Sequence, residues 1–136
     1  MVQVRVNRGL DGKFKRITES LEEFGQVYGN MMAEDLVSLS PVDTGAYMES
    51  FYVGSSYGGY GSDSHGRPRR QPRGPYESIA LQRMQSGVAG LRGSATMIFG
   101  NGAPHAAKVE GLYAPFGGAA SMHKSRVKAA WAAVKP

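Results

Sequence analysis

The sequence predicts an α+β fold: a small antiparallel sheet packed against a long N-terminal helix and a C-terminal helix, with a long Gly/Pro/Arg-rich loop. Three observations carry this. Apolar residues recur at three and four through residues 14–39, they alternate at two through 2–6 and 47–53, and residues 54–75 are too poor in apolar side chains to join a core. At 136 residues the chain fits one domain, 1–136, able to bury about two-thirds of its unfolded surface.

The elements follow in order. Val2, Val4 and Val6 alternate with polar residues as a strand with one buried face does, and Gly9, Leu10, Asp11 and Gly12 end it as a turn. Ile17, Leu21, Phe24, Tyr28 and Met31 or Met32 then line one face of a helix over 14–39, with Glu19, Glu22 and Glu23 near its positive end. Gly25 and Gly29 share a face of that helix and each cost about 1 kcal/mol relative to Ala, which implies close packing, with the C-terminal segment as the expected partner. Pro41 stops the helix, and a strand over 47–53 with both faces partly apolar follows. After the loop, residues 76–91 read as a helix with Ile79, Met84, Val88 and Leu91 inward. Residues 94–99 read as a strand, and Gly100, Asn101 and Gly102 as a turn. Residues 105–110 suit a short strand or a turn of helix. Residues 119–134 read as a last helix, with Val127, Trp131 and Val134 on one side and small alanines beside them.

Composition narrows the chemistry. With no cysteine, disulfide frameworks, thiolate metal sites and cysteine nucleophiles are excluded. His65, His105 and His123 are too widely spaced to form a metal motif, and neither a phosphate loop nor a nucleophile elbow is present, so no cofactor, no metal and no catalytic activity are expected. No apolar run approaches the roughly 18 residues of a membrane span, so a protein made in the cytoplasm is expected. The formal charge of +5 implies mild attraction to polyanions rather than a dedicated nucleic-acid binder. Within 54–75, Tyr57, Tyr60, Arg67, Arg69, Arg70 and Arg73 are contact-prone and mark a candidate interface or DNA-facing loop.

The segment Pro41-Val42-Asp43-Thr44-Gly45-Ala46-Tyr47-Met48-Glu49-Ser50 bears most on function. Asp43-Thr44-Gly45-Ala46 matches the active-site loop of a retroviral-type aspartic protease, in which two chains each supply one carboxylate to activate water. Ile98-Phe99-Gly100 resembles the apolar element that supports that loop. Such a loop is held by strands, whereas a long amphipathic helix precedes Asp43 here. Read structurally, Asp43 and Thr44 close a turn by bonding backbone amides two residues on, and Gly45 supplies positive φ where the chain changes direction. Glu110 lies among apolar residues and requires an Arg, Lys or backbone-amide partner, which points to a structural bond or an intersubunit bridge rather than catalysis.

In element order the chain resembles a family of tailed-bacteriophage proteins at the head-to-tail junction, called neck, tail-completion or tail-terminator-like proteins. The family's Pro-x-Asp-Thr-Gly-x-(Leu or Tyr)-x-x-Ser signature after a long helix is matched by Pro41, Asp43, Thr44, Gly45, Tyr47 and Ser50. Its second signature, a strand followed by Pro-(Tyr)-Ala-x-x-(Val/Leu)-Glu-x-Gly, is matched by residues 97–111, with His105 at the tyrosine position. Gly117, Gly118 and Met122 resemble its entry to a final helix.

The resemblance implies a structural virion protein, assembled in the host cytoplasm. Six or twelve copies would form a closed ring around the channel that DNA traverses. The implied partners are portal, adaptor or head-completion proteins on one side and tail proteins on the other, with no membrane. The alternatives are the homodimeric protease using Asp43 and a small nucleic-acid-binding protein using the tyrosines and arginines of 54–75.

Overall fold

The computed structural model describes residues 8–42, 45–56, 58, 72–94 and 96–134, with side chains from residue 12 onward. Among these residues the fold is mostly helical, with six helices and one two-stranded antiparallel sheet, and belongs to the α+β class. In chain order these are α1 Arg8–Leu39, α2 Ala46–Glu49, β1 Phe51–Gly54, α3 Arg73–Gly90, β2 Ile98–Asn101, α4 Ala106–Tyr113, α5 Pro115–Ser121 and α6 His123–Val134.

The axis of the molecule is α1. It runs 32 residues, about 48 Å at 1.5 Å per residue, and begins at Arg8, so residues 9–12 are its first turns and not the expected turn. The helical spacing that starts at Phe14 continues backward to Leu10, and an acidic residue, Asp11, sits in the first turn. The strand expected at 2–6 lies outside the described residues. Only the second half of α1 is packed: Ala33, Leu36 and Val37 are buried, whereas every residue from 12 to 19 is exposed.

Two layers close on that second half. On one side lies α3, whose buried residues Ala80, Met84 and Val88 recur every four positions. A β-carbon at Gly29 would lie 2.8 Å from Val88 Cγ1, so this glycine lets α1 and α3 approach. Gly25 faces Met97 in the same direction. The partner of the glycine pair is thus α3 with the segment before β2, and not the C-terminal segment. Ile79, expected inward, is 42% exposed because it lies off the Ala80–Met84–Val88 row.

On the other side lie α5 and α6, two helices where one was expected over 119–134. Pro115 starts α5 and the chain turns at Met122 before α6. Ala130 is buried, while Trp131, expected on one side of the last helix with Val127 and Val134, stacks on Phe24 at 4.3 Å between ring centroids and stays 38% exposed. A bidentate ion pair also fixes α6: Arg126 Nε and a terminal nitrogen each donate to the buried Asp35 carboxylate at 2.8 Å.

The sheet pairs Phe51 with Asn101 and Gly54 with Ile98. Its principal support is α3, contrary to the expectation that it packs on the N- and C-terminal helices, and Phe51 also reaches Phe116 of α5. Residues 47–53 are not one strand. Tyr47, Met48 and Phe51 stand one, three and four apart, a helical spacing in which only the Tyr47–Phe51 pair also fits a period of two, and the helical reading wins locally because Glu49 N–H donates to the Gly45 carbonyl and the Ser50 hydroxyl to Ala46 O. Gly100 and Asn101 are strand residues, not a turn, and residues 105–110 enter α4. Gly54 ends β1 and Arg73, Gly74 and Pro75 form the first turn of α3, while residues 57 and 59–71 of the expected loop lie outside the described residues.

Removing Arg126 strips a buried carboxylate of its compensation, whereas removing both charges does not. Arg126→Met should therefore lower the thermal midpoint clearly more than the double change Asp35→Leu/Arg126→Met, compared by thermal unfolding under identical conditions.

Candidate functional site

The two signature segments, some fifty residues apart in sequence, meet at one corner beside the end of α1. α1 stops before Pro41. Asp43 and Thr44 lie outside the described residues, and Gly45 has φ 85°, in the left-handed region that a side chain disfavours. A β-carbon there would also collide with the Tyr76 ring, so both conformation and space demand glycine. Past this point α2 turns Tyr47 inward, where its ring meets Phe51 edge-on at 5.1 Å and lies 6.2 Å from His105.

The second signature locks onto the first through backbone. Asn101 Nδ2 donates to Tyr47 O at 2.7 Å, its Oδ1 accepts from Ala103 N–H at 3.0 Å, and Gly102 N–H donates to Ser50 O at 2.9 Å. Asn101 is buried with both ends of its amide satisfied. Sequence reading placed Asn101 in a turn. The signal that could have found its role is an asparagine just before Gly-Ala-Pro, able to bridge two segments as few other side chains can.

Glu110, in α4, accepts from Phe116 N–H at 3.0 Å and Gly117 N–H at 2.8 Å. Its carboxylate thereby satisfies amides at the start of α5, which Pro115 opens after Ala114 turns left-handed at φ 47°. This is a structural bond within the chain. The Tyr47 hydroxyl lies within the influence of Glu110 and Ser40. Burial first, then the Glu110 charge, push its phenol well above the ordinary tyrosine range, and the hydroxyl is buried without a hydrogen-bond partner among the described residues.

Arg73, expected in the contact loop, belongs to this corner. Its guanidinium donates to Ser40 O, to Val37 O at 2.9 Å and to Ser38 O at 3.2 Å, and pairs with Glu77 one turn on. Val37 and Ser38 belong to the last turn of α1, where carbonyls run short of helical donors, although Ser40 N–H also reaches Val37 O at 3.3 Å, and Ser40 is the residue just past the helix. Tyr57, Tyr60, Arg67, Arg69 and Arg70 lie outside the described residues, so the structure separates Arg73 from the cluster without placing the others.

Among the described residues, large apolar side chains besides Ile79 stand exposed in two places. One joins the first half of α1 to Trp131, and the other is Leu112 and Tyr113 at the end of α4. Among the described residues no group of His, Asp and Glu converges as metal ligands do, and no helix is long and apolar enough to cross a membrane.

Two measurements check the corner. Arg73→Ala should lower unfolding free energy by about 1–2 kcal/mol in urea titration, since it uncovers helix-terminal carbonyls. Tyr47 stays neutral in the fold but ionises near pH 10 when unfolded, so its contribution is complete below pH 10 and is lost as pH rises above it. Tyr47→Phe should flatten the alkaline fall in stability by up to about 1.4 kcal/mol per pH unit.

No family model, curated protein or solved structure matches this chain.

Proposed function

We propose that this chain is a structural protein of the head-to-tail junction of a tailed bacteriophage, a neck or tail-completion protein that acts by assembly and catalyses nothing. The observation that carries the reading is the convergence of its two signatures, in which Asn101 of the second bonds Tyr47 of the first and Gly102 bonds Ser50. Motifs that resemble those of one family in sequence order thus form a single corner of the fold. Polar groups there bond the chain's own backbone, as suits a part that must hold shape.

Six or twelve copies close into a ring around the channel that DNA traverses, between portal or head-completion proteins and tail proteins, in the virion. Head-to-tail contacts between identical copies give such closure. The two-stranded sheet leaves edges for a neighbour, and the 54–75 segment with Arg67, Arg69 and Arg70 supplies further contact residues facing a neighbour rather than DNA. The protease alternative needs a sheet-held Asp43, and the described residues around it are α1, α2 and a two-stranded sheet. The nucleic-acid alternative rests on the loop tyrosines and arginines alone.

Light scattering over a concentration series, with electron microscopy of the large species, should give closed rings of six or twelve. A protein that stays a stable dimer at the highest concentrations would overturn the reading. A dimer that cleaves peptides and loses the activity on Asp43→Asn would install the protease in its place.

A further inference from the structure

Burial falls away along the C-terminal part of the chain. In α3 the row Ala80, Met84 and Val88 is fully buried, and the short α5 buries both Pro115 and Ala119. In α6, twelve residues long, one side chain is buried, the small Ala130. A methyl group removes little apolar area from water, so this helix depends on contacts at its rim. Three of these reach α1: Arg126 pairs with Asp35, His123 Nδ1 lies 2.5 Å from the Tyr28 hydroxyl, and Trp131 stacks on Phe24. Solvent competes for each of them, since the Arg126 side chain is 37% exposed, His123 is exposed and Trp131 stands partly in water.

The change from firm to loose attachment falls at one residue. α5 is tied into the core: the Phe116 ring lies 6.0 Å from Phe51, the Glu110 carboxylate holds the amides of Phe116 and Gly117, and a β-carbon at Gly118 would meet Leu39 Cδ1 at 2.8 Å. Met122 then leaves the helical course, with φ −89° and ψ 1°, and α6 starts at the next residue. A single residue between two helices suffices to absorb a change of direction. A helix of twelve residues is not stable alone in water, so undocking from α1 and unwinding are one event. We propose that α6 is a strap across α1 that opens about Met122 as one unit, ahead of the rest of the fold, and that its rim contacts to Asp35, Tyr28 and Phe24 set how often it opens. Opening withdraws Arg126 and lets water reach the Asp35 carboxylate, so salt, which screens the pair, favours the open state. It also bares Phe24 and Tyr28, which continue the exposed stripe of Phe14, Ile17 and Leu21 along α1. The device uses contacts within one chain and does not depend on the assembly reading.

Hydrogen–deuterium exchange of the full chain, followed in peptides of α6 and of α3, tests the strap. Corrected for intrinsic rates, the amides of α6 should exchange about 100-fold faster than those of α3, and raising salt to about 1 M should speed α6 further without speeding α3. Phe24→Ala removes the ring on which Trp131 stacks and should speed α6 about ten-fold while leaving α3 unchanged. His123→Ala, a change at an exposed residue, should act in the same direction more weakly. Trp131 is the single tryptophan of the chain and lies in α6, so in urea its emission should change before the far-UV circular dichroism of the remaining helices is lost. Equal exchange in α6 and α3, substitutions that accelerate both helices alike, or coincident emission and dichroism transitions would overturn the inference, because each means that α6 leaves only when the whole molecule unfolds. Exchange in α6 that responds to neither substitution would overturn it as well, since the rim contacts would then not be what holds the helix.

Discussion

The end of α1 is the constraint on which the rest of the molecule depends. A helix packed on two sides that stops before Pro41 leaves its last carbonyls short of helical donors, and Val37 and Ser40 there are buried while Ser38 is exposed. Arg73 reaches from the first turn of α3 to Val37, Ser38 and Ser40, while the Ser40 hydroxyl bonds Leu36. Satisfying α1 in this way fixes where α3 begins, and α3 in turn supports β1 and leaves Tyr76 against Gly45. One guanidinium thus ties the helix terminus, the chain reversal and the start of the next layer into one geometry.

Along α1 a single apolar periodicity serves two ends. From Ala33 to Val37 the stripe is buried by the chain itself, and from Phe14 to Leu21 the same spacing faces outward. Periodicity states that a face is apolar; it does not state who covers it. Packing supplies the difference. Gly29 lets α3 come close, Asp35 anchors α6, and N-terminal to Phe24 the neighbours thin out to Arg92 beside Glu22 and Glu23 and to Trp131 beside Ile17 and Leu21.

Much of this was legible in the residues, and what was not has physical causes. The long helix, its stop before Pro41, the need for glycine at 45 and the helix carrying Met84 and Val88 follow from spacing and backbone sterics. Residues 47–53 misled because Tyr47 and Phe51 satisfy both periods, and only the turn closed by Gly45, Glu49 and Ser50 decides between them. Asn101 read as a turn residue because local preference favours that, while its partner, the Tyr47 carbonyl, is distant in sequence. Arg73 looked like part of a charged loop for the same reason: its acceptors belong to a helix more than thirty residues earlier. Glu110 was legible as a group needing amides, though which amides required the fold.

The use made of polar side chains bears on the assembly role proposed above. An active site leaves functional groups aimed at a space where a substrate will sit, with their pKa values tuned and their hydrogen bonds incomplete. At this corner Asn101, Glu110, Arg73, Ser40 and Ser50 bond backbone atoms of their own chain, Arg73 also pairs with Glu77, and the Tyr47 hydroxyl is buried without a hydrogen-bond partner. Tyr47, the one group there with a strongly shifted pKa, is shifted toward neutrality by burial, which removes it from acid–base work near pH 7. Among the described residues the polar side chains of the corner are bonded inward, and large exposed apolar side chains lie on the first half of α1 and at the end of α4. A rigid centre carrying uncovered apolar faces is the division of labour that assembly requires, because a contact surface can be specific only if the part that presents it does not yield.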